Sequence, residues 1–163
     1  MRRIRIFEMP SLYREPMGIT GYRFGKGEKS AAIVGAMRGN EIQQLYICSQ
    51  LVRRLKTLEH EGLLTVGHAV EVIPCVNPSS VNIGKRFWAM DDTDVNRMFP
   101  GYDKGETTQR IASGLFQHLI GWKWGIQFAS FYLRGDFVPH VRMMSTDWSD
   151  AQTACDFGLP YVF

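Results

Sequence analysis

Ala31-Ala-Ile-Val-Gly-Ala-Met-Arg-Gly-Asn-Glu41 is the stretch that decides the fold: an apolar run ends in a tight polar loop and then opens a helix. Ala31 to Val34 has the small and β-branched character of a strand covered on both faces, and Gly35 and Gly39 mark the turn after it. Asn40 reads as the N-cap and Glu41 suits the positive end of a helix, while Leu45, Cys48, Leu51, Val52 and Leu55 recur at helical spacing. A strand running straight into a helix places Arg38 to Glu41 at the carboxyl end of the strand, where open α/β sheets hold ligands. The same pattern also describes a well-made connection with no further role.

Upstream, Arg3 to Phe7 alternates apolar and basic residues as an edge strand does, and Pro10 ends it. Ile19 to Phe24 is a second strand between Gly18 and Gly25. The two are expected to form a hairpin or meander beside the Ala31 to Val34 strand. Gly25-Lys26-Gly27 precedes a strand instead of following one and lacks the Walker pattern, so it reads as a turn.

Downstream, the helix fades near Gly62 and Ala69 to Val76 follows as a β-branched strand interrupted by Pro74. Strand, helix and strand in that order predict a right-handed parallel crossover. Asn77 to Gly105 has no clear period, and its Phe87, Trp88, Phe99 and Tyr102 predict an ordered loop packed over the sheet edge. Glu106 to Trp122 is amphipathic, with Ile111, Leu115, Leu119 and Ile120 on one side. Trp124 to Phe131 reads as a strand, Ala129 to Asp136 as irregular, and Pro139 to Met143 as a short strand. Ser149 to Phe157 reads as a helix stopped by Gly158, and Leu159 to Phe163 as the last strand. The expectation is a single α/β domain over residues 1–163 that stops on a strand, truncated there or completed by a partner. An exposed last strand also favours a homo-oligomer.

The 163 residues are 45% hydrophobic and 21% charged, an ordinary globular composition. The net charge of +3 is scattered. Arg2, Arg3 and Arg5 stand at the front, Arg53, Arg54 and Lys56 read as a solvated helix face, and no concentrated basic face predicts a nucleic-acid partner. Cys48, Cys75 and Cys155 are widely spaced and odd in number, which suits reduced, mostly buried thiols in a cytoplasmic protein. No apolar run is long enough for a bilayer, and the front of the chain lacks the apolar core of a signal peptide. His60, His68, His118 and His140 form no metal-binding pair at helical spacing. His60 and His118 are expected to be exposed or capping, and His140 is the one histidine placed to serve as a metal ligand. Ser130 and Cys75 lie near strand ends without a nucleophile elbow or an adjacent base. Met90, Met98, Met143 and Met144 read as packing filler.

Arg38-Gly-Asn-Glu41 and the loop from Gly84 to Gly101, above all Asp94-Val-Asn-Arg-Met-Phe-Pro-Gly101, resemble the succinylglutamate desuccinylase and aspartoacylase family, relatives of zinc carboxypeptidases. The resemblance implies a three-layer α/β/α fold with a mixed sheet. It also implies a zinc ion held by a His and a Glu of one loop and a later His, hydrolysing the amide of N-acyl amino acids. By that resemblance Glu41 takes the glutamate ligand position, while Arg38 stands where the first histidine would. Ala129, in Gln127-Phe-Ala-Ser130, stands where the second would. Arg86, Asn96 and Arg97 match the substrate-binding loop, with Arg38 as a further carboxylate grip. The bland alternative is that Asn96 and Arg97 pin the loop through Asp92 or Asp94, and that Arg38 pairs with Glu41 in place of the metal's charge. The family's general-base glutamate and small C-terminal β domain would lie beyond Phe163. Two functions remain open: a family-like hydrolase of a small N-acylated, carboxylate-bearing substrate, and a silent relative that binds a carboxylated ligand or a protein.

Overall fold

The computed structural model describes residues 1–12, 14–131, 133, 135–144 and 151–163. The chain divides into two compact units, Met1–Ser130 and Phe131–Phe163.

The first unit is built on a five-stranded mixed sheet of order β1-β2-β4-β3-β5. Its strands are β1 (Arg2–Met9), β2 (Met17–Gly25), β3 (Glu28–Val34), β4 (His68–Ile73) and β5 (Trp124–Gln127). Helix α1 (Ile42–His60) connects β3 to β4, which pair in parallel, and α3 (Thr107–Leu119) precedes β5, which pairs in parallel with the other side of β3. The strand at Ala31 to Val34 is therefore interior, paired on both edges, as its apolar character requires.

Alternation along the strands sorts the core into two layers. Ile19, Val34 and Ile73 pack with Ile111 and Leu115 of α3. Tyr22, Phe24, Ile33 and Val72 pack with Cys48, Leu51, Val52 and Leu55 of α1. Adjacent residues such as Val72 and Ile73 thus face opposite helices, and the sheet is sandwiched in a three-layer α/β/α arrangement.

The β1–β2 hairpin forms, but β2 pairs antiparallel with β4 and not with β3. Both edges of β3 are already taken by parallel neighbours, so the hairpin cannot pair with β3 and joins the sheet at β4. Helix α1 starts at Ile42, with Glu41 and not Asn40 in the capping position. Asn40 is an exposed turn residue, whereas the Glu41 side chain turns inward to the loop. Helix α3 ends at Leu119, and Ile120 lies beyond it in an exposed cap instead of in the core. Strand β5 stops at Gln127, short of Phe131.

The segment from Asn77 to Gly105 is ordered as expected. It contains a short helix α2 (Pro78–Val81) and a 3-10 turn (Val95–Arg97), and Trp88, Val95 and Phe99 are packed into the α3-side core. Cys155 is exposed, unlike the buried Cys48. Met90 and Met144 are exposed as well and fill no core gap.

In the second unit, β6 (His140–Val141) and β7 (Tyr161–Val162) pair in parallel in a separate two-stranded sheet. Helix α4 (Ala151–Asp156) precedes β7, while Ser149 and Asp150 of the expected helix lie outside the described residues, as do Tyr132 and Arg134 of the irregular stretch. Among the described residues no helix is long and apolar enough to cross a membrane.

Candidate functional site

The exit of β3 is tied to the exit of β4. Ala36 is buried in the left-handed region (φ 34°), and its carbonyl accepts the N–H groups of Val76 and Asn77. A non-glycine residue held there is strained, and such strain persists only where neighbours fix it. Three residues on, Gly39 donates its N–H to the Arg86 carbonyl at 3.1 Å. A Cβ on Gly39 would lie 2.3 Å from the Lys85 carbonyl oxygen and 2.4 Å from the Ser80 Cβ. Only glycine lets the Arg38 loop touch the Arg86 loop.

That contact brings together residues distant in sequence. The Arg38 side chain lies between two carboxylates. Its Nε and Nη2 donate to Asp94 Oδ2 at 3.2 and 3.0 Å, and its Nη1 donates to Glu41 Oε1 at 3.4 Å. The backbone N–H of Arg38 also donates to Glu41 Oε2 at 3.1 Å. Glu41 is buried, and its Oε1 accepts a further bond from Ser130 Oγ at 3.3 Å. Both oxygens of Glu41 are therefore engaged. Asp94 caps the 3-10 turn, with Oδ1 accepting the Asn96 N–H at 3.1 Å.

The remaining expected residues stand around this ion pair. Arg97 is 81% exposed at its side chain, with Nε 3.7 Å from Asp94 Oδ2. Asn96 Oδ1 accepts from Gln127 Nε2 at 2.9 Å, which joins the turn to the end of β5. Arg86 is half-buried, its guanidinium 5.5 Å from the Phe87 ring centroid. Arg38, Glu41, Arg86, Asn96 and Arg97 thus belong to one strand-end region, and Arg38 is turned inward onto acids. Cys75 is half-buried, and burial pushes its thiol up to about 11, which leaves it protonated and a poor nucleophile at neutral pH. His140 belongs to the second unit, where Nδ1 faces the Val138 carbonyl oxygen at 2.9 Å and the ring lies against Phe131 and Phe163.

Ser130 and Gln127 were not expected as partners of Glu41 and Asn96. Their signal was available only in part: Ser130 adjoins the Ala129 position that the family resemblance singles out, but its hydroxyl carries no spacing code. His118, expected to be exposed or capping, is instead 17% exposed, with Nε2 2.5 Å from the buried Glu71 carboxylate. The partner is 47 residues away on β4, beyond the reach of any helical periodicity.

A guanidinium carries no lone pair and cannot ligate a metal. Ala129 offers none either, and among the described residues no group of three or more His, Cys, Asp or Glu stands together as a metal site.

A mixed sheet between helix layers, with a polar cluster at the carboxyl ends of its parallel strands, defines a three-layer α/β domain. Residues 27–126 match the succinylglutamate desuccinylase/aspartoacylase catalytic domain, and the chain belongs to that family. It is 29% identical over 102 residues to the N-alpha-acetyl-L-2,4-diaminobutyric acid deacetylase of Halomonas elongata, a match covering 63% of this chain and 28% of that protein. An aspartoacylase family protein from Mesorhizobium loti superposes with a TM-score of 0.73 at 25% identity, covering 91% of this chain and 48% of that one. A metallo-carboxypeptidase from Pseudomonas aeruginosa shares the fold with a TM-score of 0.58 at 15% identity, over 86% of this chain and 37% of that one. The chain thus spans about a quarter of that curated relative and no more than half of these solved structures.

Proposed function

We propose that this chain is a binding relative of the family's amidohydrolases: it holds a small carboxylate-bearing, N-acyl amino acid-like ligand and carries no zinc at Glu41. The observation that supports this reading is the Arg38 guanidinium held between Glu41 and Asp94. A fixed cation there neutralises the buried carboxylates, repels a divalent ion, and occupies the oxygens a metal would need. At the same strand ends Arg97 faces solvent and Arg86 is half-buried, and guanidinium groups match a carboxylate's two oxygens. Arg38, committed to two acids, is a poor grip for a substrate carboxylate.

The test is metal analysis of the purified protein together with calorimetric titration of succinate and N-acetyl-L-aspartate. The reading expects substoichiometric zinc and binding that weakens at least tenfold in Arg97→Ala or Arg86→Ala. Stoichiometric zinc that disappears in Glu41→Ala would reject it.

A second reading is supported by the family itself and by the buried carboxylate kept at the glutamate ligand position. In it the chain is a zinc-dependent hydrolase of N-acyl amino acids, with Glu41 as one ligand and the others drawn from elsewhere or from a partner chain. Zinc-dependent release of acetate from N-acetyl amino acids, lost in Glu41→Ala, would decide for it.

A further inference from the structure

At the other end of the parallel strands, away from Arg38, the β3–β4 ladder contains a bulge. Lys29 pairs with Ala69 and Ala31 with Val70, so Ser30 is the extra residue. A bulge re-aims a side chain, and here Ser30 Oγ stands 2.8 Å from His68 Nδ1, the imidazole of the first residue of β4. Glu28, paired directly with His68 in the ladder, places Oε2 3.8 Å from the same nitrogen. Ser30 and His68 line a cavity of ≈ 360 Å³ with Phe24, Leu64, Thr65 and Val70. Its lining sets apolar Leu64 and Val70 beside the Ser30, Thr65 and His68 side chains.

We propose that Ser30 and His68 form a nucleophile and base pair acting on small esters with a short apolar acyl chain, separate from the carboxylate site. With the imidazole proton on Nε2, Nδ1 accepts from the Ser30 hydroxyl, the arrangement a serine nucleophile needs. Ser30 Oγ attacks the ester carbonyl carbon as His68 Nδ1 takes the hydroxyl proton. The carbon–oxygen bond to the alcohol breaks, and the alcohol leaves with that proton. Water, losing a proton to His68, then attacks the acyl-Ser30 ester. The acid is released and Ser30 Oγ regains its proton. The acyl chain lies on Leu64 and Val70, which are half-buried at the pocket.

A positioned base contributes roughly 10²–10⁴-fold, so the expected activity is slow and requires an activated ester. The experiment incubates the full chain with p-nitrophenyl butyrate and, separately, with a fluorophosphonate, and locates the adduct by peptide mass. The expected result is a stoichiometric phosphonyl adduct on Ser30, with butyrate ester hydrolysis about 10²-fold above that of Ser30→Ala, both lost in His68→Ala. His68→Gln keeps the bulk of the side chain and serves if the alanine variant fails to fold. Absence of an adduct on Ser30, or labelling undiminished in a folded His68 variant, overturns the proposal. Neither outcome depends on zinc or on carboxylate binding at the opposite strand ends.

Discussion

At the scale of one residue, Arg38 carries the largest consequence, because its charge is the counterpart of two carboxylates with little access to water. Its side chain is 12% exposed, and those of Glu41 and Asp94 are 0% and 9% exposed. Breaking such a pair from one side leaves a charge that water cannot solvate, at a cost of about 3–5 kcal/mol. Arg38→Met should lower the free energy of unfolding in urea by that order, a large part of a typical domain's stability. Adding Glu41→Gln should return part of the loss, since the neutral amide no longer needs a cation. A double variant no more stable than Arg38→Met would show that the guanidinium acts through packing and not through charge. The residue identity was legible in the sequence, and so was pairing with Glu41 three positions away. The stronger contact to Asp94, 56 positions away, was not expected, because an arginine's partner across a fold leaves no local spacing.

Elements were legible where their periodicity is self-contained and less so where their neighbours decide. The β3, α1 and β4 succession follows from composition alone, since a doubly covered strand and an amphipathic helix each carry their own pattern. The placement of β2 beside β4 does not, because a strand's residues mark its faces and not its hydrogen-bonded edges. The same limit hid the joint between α3 and the sheet, where Glu71 of β4 meets His118 Nε2 at 2.5 Å and Arg23 Nε at 2.6 Å. Burial pushes the Glu71 carboxyl up, but the hydrogen bonds from His118 and Arg23 outweigh it and hold the group below the ordinary glutamate range. A carboxyl depressed in the folded state contributes stability that is fully present above its unfolded value of about 4.3 and is lost as pH falls through the lower folded value. Wild-type stability should therefore decline as pH drops below about 4.3, with a steeper slope than that of Glu71→Gln, measured by denaturant unfolding at stepped pH. Equal slopes would mean that Glu71 titrates in the folded protein as it does unfolded, and a shallower wild-type slope that it is protonated there.

For the whole molecule, the family signature from Asp94 to Gly101 made the fold readable, and the three-layer sheet and the Mesorhizobium loti likeness agree with it. Which side chains meet at the strand ends was less readable, because the meeting depends on Gly39 allowing two loops to touch and on β5 delivering residues 129 and 130 beside Glu41. That architecture makes a further prediction. The scaffold still brings positions 38, 41 and 129–130 to one place, as the bonds from Arg38 and Ser130 to the Glu41 carboxylate show. If the fold has kept the frame and changed only the donors, Arg38→His with Ala129→His should supply two imidazoles around Glu41. Asp94 then stands ready to accept from the far nitrogen of the histidine at position 38, the kind of outer partner that fixes a ligand's tautomer. The double variant should take up one zinc per chain and gain thermal stability when zinc is added, by mass action on the folded state. Either single variant, with only two protein donors, should bind at least tenfold more weakly. A double variant indifferent to zinc, yet folded by circular dichroism, would mean that positions 38, 41 and 129 do not meet in a geometry that holds a metal.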